Sequence, residues 1–178
     1  MVYRQLVSKR GRRVIVRSAD RQDAAALVEL VQAVGTEPEG WILSTGGGRR
    51  EADERRYLRA YASSPDALLL VAESEGRVIG RLNVHRDLHA YSPHVGDLGM
   101  MVLDGYRGEG VGRALLEAAV EWAPTAGVAK LELHVFPHNT RAIALYESCG
   151  FAREGVRRQH FQRGGRRLDA ILMARLLS

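Results

Sequence analysis

The stretch Asp97–Leu116, DLGMMVLDGYRGEGVGRALL, decides how the chain is read. Leu98 to Leu103 is rich in Leu, Met and Val and runs into the turn residues Asp104 and Gly105, the pattern of a buried strand that stops abruptly. Gly108, Gly110 and Gly112 follow at every second position, and Val111, Ala114, Leu115, Ala118 and Trp122 then recur on one helical face. The helix therefore begins among the glycines. The first N–H groups of a helix have no partner within it, and its dipole leaves about half a positive charge there, so the geometry suits an anion. Arg107 and Arg113 flank the turn and can add charge-assisted hydrogen bonds. The stretch reads as a phosphate cradle between a strand and a helix.

Spacing narrows the phosphate compound. A P-loop needs Gly, four residues, then Gly-Lys-Ser/Thr, and no lysine lies between Lys9 and Lys130. A dinucleotide fingerprint needs a third glycine where Arg113 stands. What remains is Arg107-x-x-Gly110-x-Gly112 after a strand, and a second block follows it: the strand LELHVF, then Asn139, Tyr146 and Gly150-Phe151. With both blocks the sequence resembles the GNAT superfamily of acyl-CoA-dependent N-acetyltransferases over about residues 68–177, and is similar to its amino-acid and ribosomal-protein-alanine members.

The resemblance implies a GNAT fold of the α/β (α+β) class: a mixed, mostly antiparallel sheet of six to seven strands flanked by about four helices. Acetyl-CoA would be the acyl donor, with no metal. Arg107, Gly108, Glu109, Gly110, Val111, Gly112 and Arg113 would hold its pyrophosphate. Met100, Met101 and Val102 would take its amide arm as an added strand, with Asn139, Ala142 and Tyr146 completing the coenzyme site. In the family the region between the first two helices shapes the acceptor pocket, which implicates Trp41.

The remaining sequence reads as one domain over 1–178, with residues 1–11 as a flexible basic segment. A chain of 178 residues buries about 70% of its extended surface and needs no metal or disulfide staple. Cys149 is the only cysteine, so no internal disulfide can form and a cysteine-rich zinc site is excluded. No apolar run approaches the roughly 20 residues of a membrane span, and MVYRQLVSKRGRR lacks a signal peptide's apolar core, so a soluble, cytoplasmic protein is expected. The net charge of +5 comes from 24 arginines and only two lysines. Its clusters, Arg4 to Arg17 and Arg153 to Arg167, are not interleaved with stacking aromatics, which argues against nucleic acid.

Periodicity places a strand at Val14–Val16, a helix with Ala24, Leu27, Val28, Val31 and Val34 on one face, and a charged helix over Arg50–Ala62. Between these helices Gly35–Gly48 reads as a mobile, partly apolar loop with a hinge at Gly46–Gly48. Ala67–Glu73 and Arg77–Val84 surround the turn Glu75-Gly76, and Phe151–Phe161 and Leu168–Leu176 surround Arg163-Gly164-Gly165. The expected order is β-α-α-β-β-β-α-β-α-β-β.

Acyl transfer to nitrogen needs the amine to lose a proton and the departing thiolate to gain one. Tyr146 stands two helical turns after Asn139, on the same side, and a phenol of pKa about 10 stays protonated at pH 7. The family assigns a tyrosine at this place as general acid. Asp97 and His134 are alternative bases, each matching a glutamate in relatives, and a water relay is a third route. The acceptor would be an amino acid, a small amine or polyamine, or a protein N-terminus; a homodimer is compatible. The competing reading is an inactive CoA-binding regulatory module with a basic partner-binding surface.

Overall fold

The computed structural model describes residues 3–42 and 50–177. Strands β1 (Tyr3–Val7) and β2 (Arg13–Ser18) form an N-terminal hairpin. A short 3₁₀ turn capped by Asp20 leads into α1 (Ala24–Gly35), and α2 (Glu51–Ser63) follows. β3 (Ala67–Ser74), β4 (Arg77–Arg86) and β5 (Val95–Val102) run antiparallel in succession. Then come α3 (Val111–Trp122), β6 (Lys130–Val135) and α4 (Thr140–Ser148), and the hairpin β7 (Ala152–Arg163) with β8 (Arg166–Leu176). The β3–β4 reversal rests on Glu75 and Gly76, both at positive φ (52° and 76°), as a tight two-residue hairpin turn requires.

All eight strands join one sheet in the order β1-β2-β3-β4-β5-β6-β8-β7, antiparallel except where β5 meets β6. The inner strands are apolar on both faces because both faces are covered. Leu68, Leu70 and Ala72 of β3 pack with Leu115, Leu116 and Ala119 of α3, whereas Leu69 and Val71 pack with Leu27, Leu30 and Val34 of α1 and Leu58 of α2. Ile143 and Tyr146 bring α4 to the α3 face.

The sheet exceeds the expected six to seven strands by β1. Tyr3–Val7 falls within the segment read as flexible, yet it pairs with β2 along its length, from Tyr3↔Arg17 to Val7↔Arg13. Its charge is taken up across the fold: Arg4 pairs with Glu117 (3.0 Å) and Glu121 of α3.

Candidate active site

β5 and β6 pair only at their beginnings, Val95↔Lys130, Gly96↔Leu131 and Asp97↔Glu132. Beyond Asp97 they part, because β5 follows β4 as far as Gly80↔Val102 while β6 follows β8 as far as Val135↔Ile171. Gly96 permits their junction, since a Cβ there would lie 2.9 Å from Val84 and 3.1 Å from Val128. The result is a cleft of about 980 Å³.

Which β5 groups face the cleft follows from the ladder. Asp87 donates to the Val95 carbonyl and Leu103 to the Ile79 carbonyl, both at 2.8 Å, so the odd-numbered residues of β5 bond to β4. Antiparallel pairing alternates, so the backbone groups of Leu98, Met100 and Val102 turn toward the opening. Met101 also lines the cleft, but its backbone groups bond to β4 and its side chain packs with the α1–α2 cluster.

At one end of the cleft, Gly108 and Gly110 take positive φ (76° and 97°), and Gly110 caps α3 without a side-chain hydrogen bond. The leading N–H groups of α3, from Val111 onward, have no intrahelical acceptor. A Cβ on Gly108 would meet nothing within 4 Å, whereas one on Gly112 would sit 2.9 Å from Leu145. Gly112 thus serves the approach of α3 to α4 as well as access to the backbone. Arg107 donates from Nε to the Val102 carbonyl (2.8 Å) and pairs with Glu37 (2.6 Å), while Arg113 donates to Ser148 (2.8 Å). Glu109 points away from the cleft, buried against Arg12; the Ser8 hydroxyl and then the Arg12 guanidinium hold its carboxyl below the usual range.

α4 begins opposite. Asn139 caps it, Oδ1 accepting from the Ala142 N–H at 3.2 Å, and its Nδ2 donates to the Trp41 carbonyl at 3.4 Å. Tyr146, two turns along, is 6% exposed, packs against Phe151 (ring centroids 5.8 Å apart) and lines the cleft. Burial, with a smaller contribution from Cys149, pushes its phenol pKa up and keeps the proton in place at neutral pH.

The other end takes Asn83, Asp97 and His134 from three adjacent strands. Burial raises the Asp97 pKa, opposed by His85 at 3.7 Å and by His134. Burial lowers the His134 pKa, helped by Arg157, and its Nε2 is buried with no partner among the described residues. Glu37–Ile42 lines the same cleft and is held from three separate segments. Arg107 takes Glu37, His138 Nε2 contacts the Glu39 carbonyl (3.0 Å), Asn139 takes Trp41, and Arg163 donates to Gly35 (2.9 Å) and Ile42 (3.4 Å). Trp41 lies against His138, centroids 5.6 Å apart. The expected hinge Gly46–Gly48 lies outside the described residues.

The structure thus brings Tyr146, Asp97, His134, Asn139, Ala142, Met100, Met101, Val102, Arg107, Gly108, Gly110, Gly112, Arg113 and Trp41 to one cleft, and leaves the side chains of Glu109 and Val111 outside its lining. Sequence reasoning missed Asn83, Glu37, Lys9 and Arg163. Asn83 alone carried a local signal, as a neutral polar residue inside the apolar run VIGRLNV. Among the described residues no group of three His, Cys, Asp or Glu side chains gathers as a metal site would need, and no helix is long and apolar enough to cross a membrane.

The model of the acetyltransferase (GNAT) family matches residues 36–151. The chain is 27% identical to the L-amino acid N-acetyltransferase AaaT of Escherichia coli K12 over 164 residues, 92% of this chain and 98% of that protein. It is 46% identical to the ribosomal protein bS18 alanine N-acetyltransferase of the same organism over 69 residues, 39% of this chain and 47% of that one. An acetyltransferase of the GNAT family from Streptococcus pneumoniae superimposes with a TM-score of 0.85 at 30% identity, covering 93% of this chain and 99% of its own.

Proposed function

The chain belongs to the GNAT family of acetyltransferases, and from that premise we propose that it transfers an acetyl group from acetyl-CoA to the primary amine of an amino acid, a small amine or a peptide N-terminus, with Tyr146 as general acid. The observation that carries this reading is the opening between β5 and β6, where unpaired β5 backbone faces Tyr146 and the starts of α3 and α4 flank the gap.

The residues fit the donor. Open space over Gly108 and the uncapped start of α3 suit a pyrophosphate. The backbone of Leu98 and Met100, with the Val102 N–H, can pair with the amides of a linear arm, as a strand would. Acetyl-CoA supplies the thioester; the protein aligns it and manages two protons. The amine nitrogen bonds to the carbonyl carbon, the carbon–sulfur bond breaks, and the sulfur takes the Tyr146 hydroxyl proton. The amine's surplus proton passes to His134 or Asp97, directly or through water. A depressed pKa leaves His134 neutral at pH 7 and able to accept it.

The test is thiol release from acetyl-CoA against pools of amino acids, polyamines and N-terminal peptides. Tyr146→Phe should lower kcat by about 10²–10⁴-fold, the usual worth of a general acid, with the acetyl-CoA KM nearly unaltered. An unaltered kcat removes Tyr146 from the mechanism. Coenzyme binding without release in any pool moves the reading to the inactive CoA-binding module.

A further inference from the structure

Arg107, expected to supply charge to a bound phosphate, is committed elsewhere. Its guanidinium spans the Val102 carbonyl and Glu37, and Glu37 neutralises it. Two other cations reach the same cleft, Lys9 at the tip of the β1–β2 hairpin and Arg141 in the first turn of α4. Both side chains are exposed, and neither makes an ion pair or side-chain hydrogen bond among the described residues.

The hairpin tip is fixed to the glycine turn. Ser8 donates to the Arg12 carbonyl (2.8 Å) and Gly11 to the Ser8 carbonyl (2.9 Å), while the Ser8 hydroxyl accepts from the N–H groups of Arg10 and Arg12. Arg12 then crosses to the turn: it donates to the Gly105 carbonyl (2.5 Å), pairs with Glu109 and lies 3.8 Å from the centre of the Tyr106 ring. The Lys9 N–H reaches the Glu109 carbonyl at 3.4 Å. Arg12 and Arg10 take up the negative charge of Glu109, so it does not offset Lys9. The ammonium of Lys9 is therefore carried beside the start of α3 by an ordered element.

We propose that Lys9 and Arg141 bind the phosphates of the coenzyme from the two sides of the glycine turn, with Arg113 between them, and that Arg107 instead holds the Glu37–Ile42 segment to the end of β5. The inference rests on the coenzyme reading above. It adds to Arg113 two phosphate-binding charges from a hairpin and a helix outside the strand–turn–helix stretch.

The test is calorimetric binding of CoA to the native protein, Lys9→Gln and Arg141→Gln at low and at about 1 M salt, where charge interactions are screened within about 3 Å. Each variant should bind about tenfold more weakly at low salt, the worth of one charge-assisted hydrogen bond. The difference should shrink in high salt, and the acetyl-CoA KM should rise in step with the loss of CoA affinity. Native affinity in both variants overturns the inference alone, as does a loss that salt leaves undiminished, which would mark a structural defect. A native protein that does not bind CoA overturns the coenzyme reading and this inference with it.

Discussion

The glycine-turn end of the cleft draws Met100, Val102, Gly108, Gly110 and Arg113 from one strand–turn–helix, whereas the opposite end takes Asn83, Asp97, His134 and Trp41 from four separate segments. The first offers mainly backbone groups, whose directions are set by φ, by ladder alternation and by the start of a helix. The second offers side chains whose positions depend on what packs behind them. Behind Asn83 lies a buried polar layer: Arg81 of β4 pairs with Glu54 of α2 at 3.1 Å, the two side chains 6% and 0% exposed, and Arg81 lies 5.0 Å from the centre of the Tyr57 ring. Burial pushes the neighbouring Tyr61 phenol up. One end is therefore robust to side-chain change behind it, and the other is not.

The largest test of that contrast is Glu54→Leu, which leaves the Arg81 charge buried without this partner and should cost about 3–5 kcal/mol in urea unfolding. Adding Arg81→Met should recover most of the loss, because an apolar pair of similar volume replaces a buried ion pair at little cost. A single-variant loss below about 1 kcal/mol would mean that this buried layer contributes little to holding the Asn83 end of the cleft. Asn139→Ala comes next. Removing the α4 cap should cost about 1 kcal/mol, a Tm fall of about 2–4 °C for a chain of this size, and should release the Trp41 carbonyl. An unaltered Tm would show that α4 is held by packing alone.

The smallest effect concerns pH. An imidazole must be neutral to accept a proton, and burial lowers the His134 pKa below its ordinary 6.5, so the acid limb of kcat/KM should fall below pH 6.5. His134→Gln should abolish that limb. A limb that persists in the variant would assign the base to Asp97, whose raised pKa places its titration above 3.8.

The same contrast governs what the sequence disclosed. β5, the glycine turn and α3 were legible because period-2 and helical periodicities and a turn signal stand side by side in one short run. Tyr146 and Asn139 were legible because helical spacing alone puts them on one side. Arg107 was not: its partner Glu37 lies 70 residues away, and no local pattern announces an ion pair across that separation. β1 was hidden for the same reason, since Arg4 looks solvated until Glu117 and Glu121, more than a hundred residues away on α3, come within reach. The resemblance gives Gly112 a place in the pyrophosphate turn, and only the approach of Leu145 shows that it is also clearance for a helix.

The parting of β5 from β6 also bears on aggregation. A sheet ordinarily exposes unpaired backbone on its outermost strands, where a second polypeptide can add. Here β1 is only five residues long, and β7 is interrupted by register shifts at Arg153/Gly155 and Arg157/Phe161 and carries Arg153, Arg157 and Arg158. Both are poor templates. The backbone of Leu98 and Met100 has no such defence, but it lies inside the molecule, walled by β6, α3, α4 and the Glu37–Ile42 segment. The open edge of β5 is thereby withheld from neighbouring chains and kept for what can enter the cleft.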